Sequence, residues 1–146
     1  MGVGFTHICK KCNNENQIYF GIGFLDCPSY YTDNKFKNLI ELGIEENLYN
    51  INKLKEFINL KNVRLRDNYE RKAYLCDNCH ILHTKFRYTL VSDNKVFNPK
   101  YKCSHCDNLL RIKKKNEDYK IKCKICGNED FQKDVPIEML NMYLWD

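Results

Sequence analysis

Residues 103–126 decide the fold, because they begin with Cys103-Ser-His-Cys106, end with Cys123-Lys-Ile-Cys126 and hold 16 residues between the two pairs. Two residues between cysteines allow one tight turn to present both sulfurs to the same metal ion. Pairs of this kind that are separated by roughly 15 to 20 residues are typical of four-cysteine zinc sites. We therefore expect Cys103 and Cys106 to share one Zn²⁺ with Cys123 and Cys126.

Two further pairs, Cys9-Lys-Lys-Cys12 and Cys76-Asp-Asn-Cys79, place eight of the nine cysteines in C-x-x-C pairs. By elimination, we expect these two pairs to form a second site across the 63 residues that separate them. The sequence thus predicts two structural Zn²⁺ ions. The predicted ligands are Cys9, Cys12, Cys76, Cys79, Cys103, Cys106, Cys123 and Cys126.

Each C-x-x-C turn, called a knuckle below, needs a residue that tolerates a positive φ directly after its second cysteine. The four residues at that position are Asn13, His80, Asp107 and Gly127. Glycine adopts positive φ most easily, and Asn, Asp and His are enriched there several-fold. These residue types support four knuckles of the same kind.

The pattern between the knuckles predicts short strands and a few helices. Leu110 and Ile112 alternate with Arg111 and Lys113, as in a strand with one apolar face. Strands are predicted at residues 17–24, 73–75, 84–91, 109–114 and 119–122, the last two forming a ribbon hairpin around residues 115–118. Helical periodicity predicts two short helices at about residues 34–60, ending first near Gly43, with their apolar stripe packed on the ribbon.

The fold class predicted is therefore a small, metal-stabilised α+β protein of two zinc-ribbon modules built from short antiparallel strands. Residues 1–98 form the first module with its two-helix insertion, and Asn98-Pro99 marks the boundary. Residues 99–146 form the second module. It ends in a short helix that begins at Pro136, a residue suited to the first helical position, with Glu138 in the first turn.

Other interpretations of the cysteines are open at this point. Cys76-x-x-Cys79-His80 fits a haem attachment pattern, but haem would leave Cys9 and Cys12 without partners. A thioredoxin-like redox pair needs a βαβ setting that surrounds no pair here. Iron can occupy a four-cysteine site, although zinc is the commoner structural ion. His80 or His83 could replace a cysteine ligand or donate a hydrogen bond to a thiolate, although histidines beside a knuckle are more often surface residues. The unpaired Cys27 is interpreted as a small buried hydrophobe.

The N-terminal region carries a resemblance to a known group of proteins. Met1-Gly2-Val3-Gly4-Phe5, then Cys9-x-x-Cys12, then Gly21-Ile22-Gly23-Phe24 resembles the opening of a family of uncharacterised bacterial zinc-ribbon proteins. The match covers about the first 28 residues, and the remainder is shared as the order of knuckles. The resemblance implies metal binding by the knuckle cysteines and no particular activity. The chain departs from it at Asn13, where a glycine is usual.

Charge is distributed unevenly along the 146 residues, whose formal net charge is +5. Residues 1–98 carry +3, residues 99–126 carry +6 and residues 127–146 carry −4. Each zinc ion with four thiolates has a net charge of −2, because bound thiols are deprotonated, so two such sites leave the whole chain near +1. Residues 99–126 keep about +4 by the same principle. The candidate nucleic-acid-binding residues there are Lys113, Lys114, Lys115, Lys120, Lys122, Lys124, Tyr101 and Tyr119.

These observations predict a structural zinc protein that acts as a binding module for nucleic acid or for a nucleic-acid-processing machine. The alternative is an adaptor, inhibitor or regulator of a partner enzyme, encoded by a phage or mobile element, which binds protein through the helical insertion, Tyr30-Tyr31 and Trp145. An enzyme is not expected, since eight cysteines close both metal sites and leave no open position or activated nucleophile. No apolar run spans a membrane and no signal peptide is apparent, so we expect a cytoplasmic protein without a membrane or small-molecule partner.

Overall fold

The computed structural model describes residues 3–22, 28–114, 117, 120–132 and 135–136. The described elements are two helices and nine strands. In chain order they are β1 Val3–Ile8, β2 Glu15–Phe20, α1 Pro28–Glu45, α2 Ile51–Phe57, β3 Arg64–Leu65, β4 Glu70–Leu75, β5 Leu82–Arg87, β6 Leu90–Ser92, β7 Lys95–Phe97, β8 Arg111–Ile112 and β9 Val135–Pro136. The predicted α+β class, with antiparallel strands and two helices, is confirmed.

Two of the three sheets repeat one topology. In the first, β1 and β2 form a hairpin and β9 pairs antiparallel with the free edge of β1, giving the order β2-β1-β9. In the second, β4 and β5 form a hairpin and β8 pairs with the free edge of β4, giving the order β5-β4-β8. The loop of each hairpin is a knuckle. We call these the outer unit (β1, β2, β9) and the inner unit (β4, β5, β8).

The predicted ribbon hairpin of residues 109–122 is wrong in its pairing. β8 pairs with β4, where Ile112 lies opposite Tyr74 and Arg111 opposite Leu75. The described residues 120–122 belong to no strand. The apolar alternation at 110–112 identified an extended segment, but such a pattern does not specify its partner. Pro136, predicted as a helix start, belongs to strand β9 opposite Phe5, and residues 137–146 lie outside the described part of the chain.

The helical insertion packs on one face of the inner sheet. Side chains alternate between the two faces of a strand. Tyr74 of β4 therefore faces away from its neighbours Ala73 and Leu75 and lies in the larger core. Phe86 of β5, residues of both helices and residues of the β3-β6-β7 sheet complete this core. Its buried members are Tyr31, Phe36, Leu39, Leu48, Leu54, Phe57, Tyr69, Tyr74, Phe86, Tyr88, Leu90, Phe97 and Tyr101. The apolar residues of the helices thus pack on the inner sheet, and not on the predicted hairpin of residues 109–122.

Helix α1 differs from its predicted form at two places. Asp33–Phe36 have non-helical backbone angles, and the three residues from Asn34 to Phe36 have positive φ, so α1 is interrupted there. It then continues past Gly43 to Glu45. A Cβ at Gly43 would lie 3.0 Å from side-chain carbons of Leu48 and Ile51, so glycine here allows the following segment to approach closely.

The opposite face of the inner sheet is covered by the outer unit. Ile18 of β2 packs with Ala73, Leu75 and Leu82 in a second, smaller core. Backbone hydrogen bonds of 2.9 and 2.7 Å join Gly21 to Arg71 of β4, so the residue that follows β2 is bound to the inner sheet. The molecule is thus layered as helices, inner sheet and outer hairpin. Within the described part of the chain, no helix combines the length and apolarity needed to span a membrane.

A buried network of charged residues joins the end of the helical insertion to the inner sheet. The Glu46 carboxylate accepts hydrogen bonds from Arg71 Nη1 at 2.7 Å and from the Phe86 amide at 2.9 Å. Lys85, only 8% exposed, donates to the Glu46 carbonyl at 2.6 Å and lies 5.7 Å from the centre of the Tyr101 ring. Burial lowers the pKa of Lys85, while the Glu46 charge opposes that shift. Charged residues in helices and strands are usually exposed to solvent. The sequence therefore gives no indication that Glu46, Arg71 and Lys85 form a buried network.

Candidate metal centres

The four knuckles share one backbone turn. In each, the amide of the first cysteine donates to the carbonyl five residues later, as from Cys9 to Asn14 at 3.0 Å. The amide four residues later returns a hydrogen bond to the carbonyl of that cysteine, as from Asn13 to Cys9 at 2.8 Å. The same two bonds occur at residues 76–81, 103–108 and 123–128. We number the knuckles first (9–14), second (76–81), third (103–108) and fourth (123–128).

The residue after the second cysteine has positive φ in all four turns. The values are 55° at Asn13, 60° at His80, 59° at Asp107 and 70° at Gly127. This prediction is confirmed at every position. Its physical basis is that the left-handed backbone conformation costs least for Gly, Asn, Asp and His.

The knuckles meet in two groups of four cysteines. The outer cluster contains Cys9, Cys12, Cys123 and Cys126, and the inner cluster contains Cys76, Cys79, Cys103 and Cys106. All eight predicted ligands are therefore brought into metal-sized groups. The predicted pairing is wrong, however: the third knuckle joins the second, and the fourth joins the first.

Strand pairing explains the correction. After the third knuckle the chain forms β8 and pairs with β4, the strand that leads into the second knuckle. After the fourth knuckle, Phe131 bridges to Cys9, and β9 pairs with β1, which leads into the first knuckle. Each cluster consequently joins a knuckle from residues 1–98 to a knuckle from residues 99–146, the two segments that the sequence assigned to separate modules. A 16-residue separation fits the zinc template but does not require that pairing.

The sulfur geometry fits one tetrahedral ion in each cluster. Across the knuckles, Sγ–Sγ distances are 3.5 and 3.6 Å in the outer cluster and 3.4 and 3.5 Å in the inner cluster. Four sulfurs bound at about 2.3 Å to one zinc ion lie about 3.8 Å apart, whereas a disulfide needs about 2.05 Å. All eight cysteines are free thiols. In each cluster the ligand atoms lie within 4.8 Å of one another.

The electrostatics of the outer cluster also favour a cation. Burial opposes ionisation of Cys9, but hydrogen bonds from the Cys12 and Lys11 amides and from neighbouring thiols hold its pKa at about 6. The Asn14 amide favours the Cys12 thiolate, yet partial burial and the other three sulfurs raise the pKa of Cys12 to about 12. One thiol therefore ionises readily while its neighbour resists a second negative charge. A divalent cation removes that conflict, because it stabilises all four thiolates.

The inner cluster repeats this pattern in a more buried setting. The Asn108 amide is the main cause that holds the pKa of Cys106 at about 6. Burial is the main cause that raises the pKa of Cys79 and Cys103. The amide of His105 and the side-chain amide of Asn108 each donate to a cluster sulfur at 3.4 Å. These donors orient and stabilise thiolates as outer-sphere groups do in metal sites.

His83 takes the second of the two roles considered for the histidines. Its Nε2 lies 3.3 Å from Cys103 Sγ, and neither metal-sized group includes a histidine. Burial lowers the pKa of His83 to about 4. An uncharged imidazole that carries its proton on Nε2 can donate it to Cys103 Sγ. His80 instead provides the positive-φ position and a carbonyl that accepts from the Lys122 amide at 2.9 Å.

The predicted nucleic-acid-binding residues are only partly accessible. Lys114, Lys120 and Lys124 are exposed, while Lys113 and Lys122 are half-buried. Tyr101 is 1% exposed and donates its hydroxyl proton to the Phe86 carbonyl at 2.5 Å, so its ring belongs to the core and offers no face to a base. Lys115, Tyr119, Cys27 and Trp145 lie outside the described residues.

The described ligands of both clusters are sulfurs presented by rigid turns, and the chemistry of that donor set is metal binding. Comparison with protein-family models, with curated proteins and with solved structures returned no match for this chain.

Proposed function

We propose that both clusters bind Zn²⁺ and that the outer and inner units are two zinc ribbons. The observation that carries this proposal is the pair of four-sulfur groups, each held by two knuckles of identical hydrogen bonding. Zinc is the commonest structural ion in four-cysteine tetrahedral sites. Since each site joins segments more than 20 residues apart, zinc binding supplies folding free energy.

Metal analysis and chelation test the structural role. We expect two Zn²⁺ per chain, and we expect complete removal by a chelator to abolish the circular dichroism signal and the cooperative melt. Iron would be revealed by the visible absorption of an iron–thiolate site. A chain that kept a sharp melt after complete zinc removal would contradict the structural role.

The activity proposed for this scaffold is binding of nucleic acid in the cytoplasm, without catalysis of its own. Four sulfurs occupy every coordination position of a tetrahedral zinc ion, so neither site would leave a position open for a substrate. Residues 99–126 carry a formal charge of +6 and supply two of the four cysteines in each cluster. Each zinc site has a net charge of −2, and half of that charge is assigned to this segment, which leaves it about +4. Lys120, whose side chain is 85% exposed, and Lys114 extend this charge into solvent, where it can meet phosphates.

Titration with labelled oligonucleotides tests this activity. The zinc-loaded chain is mixed at low salt with fluorescent single-stranded and double-stranded DNA and RNA, and anisotropy is recorded. We expect binding that weakens as salt rises, because released counterions oppose association at high salt. Absence of binding to every oligonucleotide at about 10 μM, within the ordinary non-specific range, would overturn the proposal.

A second candidate, protein binding, is favoured by one exposed patch. Tyr49 and Leu109 are 55% and 52% exposed and line a shallow depression with Asp77 and Lys102. An apolar centre beside charged side chains is typical of protein interfaces. Affinity capture from the native host tests this candidate. A stoichiometric partner that is lost in a Tyr49→Ser variant would support it, and capture unaffected by that variant would remove the patch from consideration.

A further inference from the structure

A groove of about 490 Å³ lies between the two clusters. One wall is formed by Ser104 and His105, which lie between the cysteines of the third knuckle. Another is formed by Lys124 and Ile125, which lie between the cysteines of the fourth knuckle. Tyr19 of β2 and Thr84 of β5 line the groove between these walls. Its walls thus come from different metal clusters, and both clusters must be intact for the groove to exist.

The groove is lined by basic and hydrogen-bond-donating side chains. Arg71, His83, His105 and Lys124 line it, and no acidic side chain is among the described residues that do so. Arg71 is engaged with Glu46, and His83 with the Cys103 sulfur. Lys124 and His105 are exposed, and they stand where a negatively charged group entering from solvent would meet them first. A phosphate is an anionic group that suits a lysine ammonium with an imidazole N–H donor beside it.

The remaining lining groups suit a base and sugar better than a second anion. Tyr19 is half-buried and presents an aromatic ring, and Ile125, 67% exposed, offers an apolar surface nearby. The Thr84 hydroxyl accepts the Tyr19 amide proton at 2.9 Å, which leaves its own proton for a ligand. Stacking of a base on an aromatic side chain is tolerant of sequence and is the usual platform for single strands.

The size of the groove favours single-stranded over double-stranded nucleic acid. A groove of about 490 Å³ lies within the range of small-molecule sites, so it has room for about one nucleotide. A base that is paired and stacked in a duplex does not expose its face, whereas single strands present unstacked bases. The groove therefore fits a single strand that places one nucleotide in it.

We propose that this groove binds one nucleotide of a single-stranded nucleic acid, with its base on Tyr19 and its phosphate between Lys124 and His105. This inference rests on the proposed nucleic-acid-binding function and locates it between the clusters. Of the predicted lysines that the structure describes, Lys124 alone lines this groove.

Anisotropy with a fluorescent twelve-nucleotide oligo(dT) or oligo(U) and the full zinc-loaded chain tests the proposal. We expect Tyr19→Leu to weaken binding by roughly 5- to 150-fold, the effect of losing one stacked base, while Tyr19→Phe keeps the ring and the affinity. We expect Lys124→Gln to reduce the slope of log affinity against log salt by about 0.7, as for one phosphate contact on a single strand. The matched controls are Tyr49→Leu and Lys95→Gln, exposed residues away from the groove, which should leave affinity unchanged. Zinc content and the amide spectrum of every variant establish that the fold is retained.

The outcomes separate the two proposals. Binding that is lost in Lys113→Gln and Lys114→Gln but retained in the groove variants would overturn the groove and leave the proposed function standing. Equal affinity for duplex and single strand, with no effect of Tyr19→Leu, would also overturn the groove. Failure to bind any oligonucleotide would overturn the proposed function itself.

Discussion

The outer and inner units have the same order of elements but different surroundings. In each, a six-residue strand leads into a knuckle, a second strand of six residues returns, and a short third strand pairs with the first. The inner sheet is covered on one face by the helices and the larger core, and on the other by the outer hairpin. The outer unit meets the rest of the molecule through the smaller core around Ile18.

The difference extends to the ligands themselves. Cys12 of the outer cluster is exposed, whereas the four inner cysteines are buried or half-buried. The inner cluster also receives the His83 hydrogen bond, and Tyr101, two residues before Cys103, is in the larger core. One ligand pattern thus lies in two settings: the inner cluster adjoins the larger core, and the outer cluster lies at the end of a hairpin that packs on the inner sheet.

The largest expected effect is a contrast between matched ligand substitutions. Cys106 and Cys126 are both half-buried and occupy the same position in the third and fourth knuckles. We expect Cys106→Ser to abolish cooperative unfolding, because a structural zinc site supplies about 10 to 16 kcal/mol, comparable with the whole stability of a domain. We expect Cys126→Ser to keep one metal ion and the native amide resonances of Phe86 and Leu90. Equal effects of the two substitutions on metal content and spectrum would show that the two units do not differ in this way.

The second-largest effect concerns Glu46, whose buried carboxylate binds residues of the inner unit. Glu46→Ala removes the buried carboxylate that accepts from Arg71 and from the Phe86 amide. We expect a loss of about 3 to 5 kcal/mol in the free energy of unfolding, measured with urea. The control is Glu70→Ala, because Glu70 also pairs with two basic residues, Lys72 at 3.0 Å and Arg87 at 3.2 Å, but is 33% exposed. Removing it should cost less than about 1 kcal/mol. A Glu46 effect no larger than the Glu70 effect would contradict the role given to the buried network.

The third effect is specific to metal affinity. We expect His83→Gln to lower the affinity of the inner site by about 10- to 100-fold, as for other groups that hydrogen-bond a metal ligand. Competition with a chromogenic chelator measures it site by site, since the outer site should be unchanged. His105→Gln is the control, because its side chain is exposed and its backbone amide, which donates to Cys103, remains. Loss of affinity at both sites would indicate general destabilisation and not a contact with Cys103.

The smallest effect lies in the backbone of the outer cluster. Gly127 has a φ of 70°, and a Cβ there would meet nothing within 4 Å, so its replacement changes only the backbone energy. We expect Gly127→Ala to cost about 1 to 2 kcal/mol and Gly127→Asn less, because Asn adopts this conformation more easily. Thermal melts of the zinc-loaded chain measure both. An alanine variant as stable as the native chain would contradict the common geometry of the knuckles.

The metal ligands and the turn residues could be predicted from the sequence, because residue type and short spacing determine them. The pairing of the knuckles could not be predicted, because it depends on very short strands. The eight ligands and the four positive-φ residues follow from residue type and short spacing, so they could be read directly. The pairing of knuckles depends on β8 and β9, which have two residues each and therefore little sequence signal. The burial of Tyr101, Lys85 and Glu46 depends on the helical insertion folding over the inner sheet, which composition cannot reveal.

The account depends most on which cysteines share an ion. Replacement of the native metal by ¹¹³Cd and correlation of each cadmium resonance with cysteine β-protons identifies the ligands directly. We predict one resonance coupled to Cys9, Cys12, Cys123 and Cys126 and another coupled to Cys76, Cys79, Cys103 and Cys106. A resonance that couples the cysteines of the third knuckle with those of the fourth would contradict the two-unit architecture and everything inferred from it.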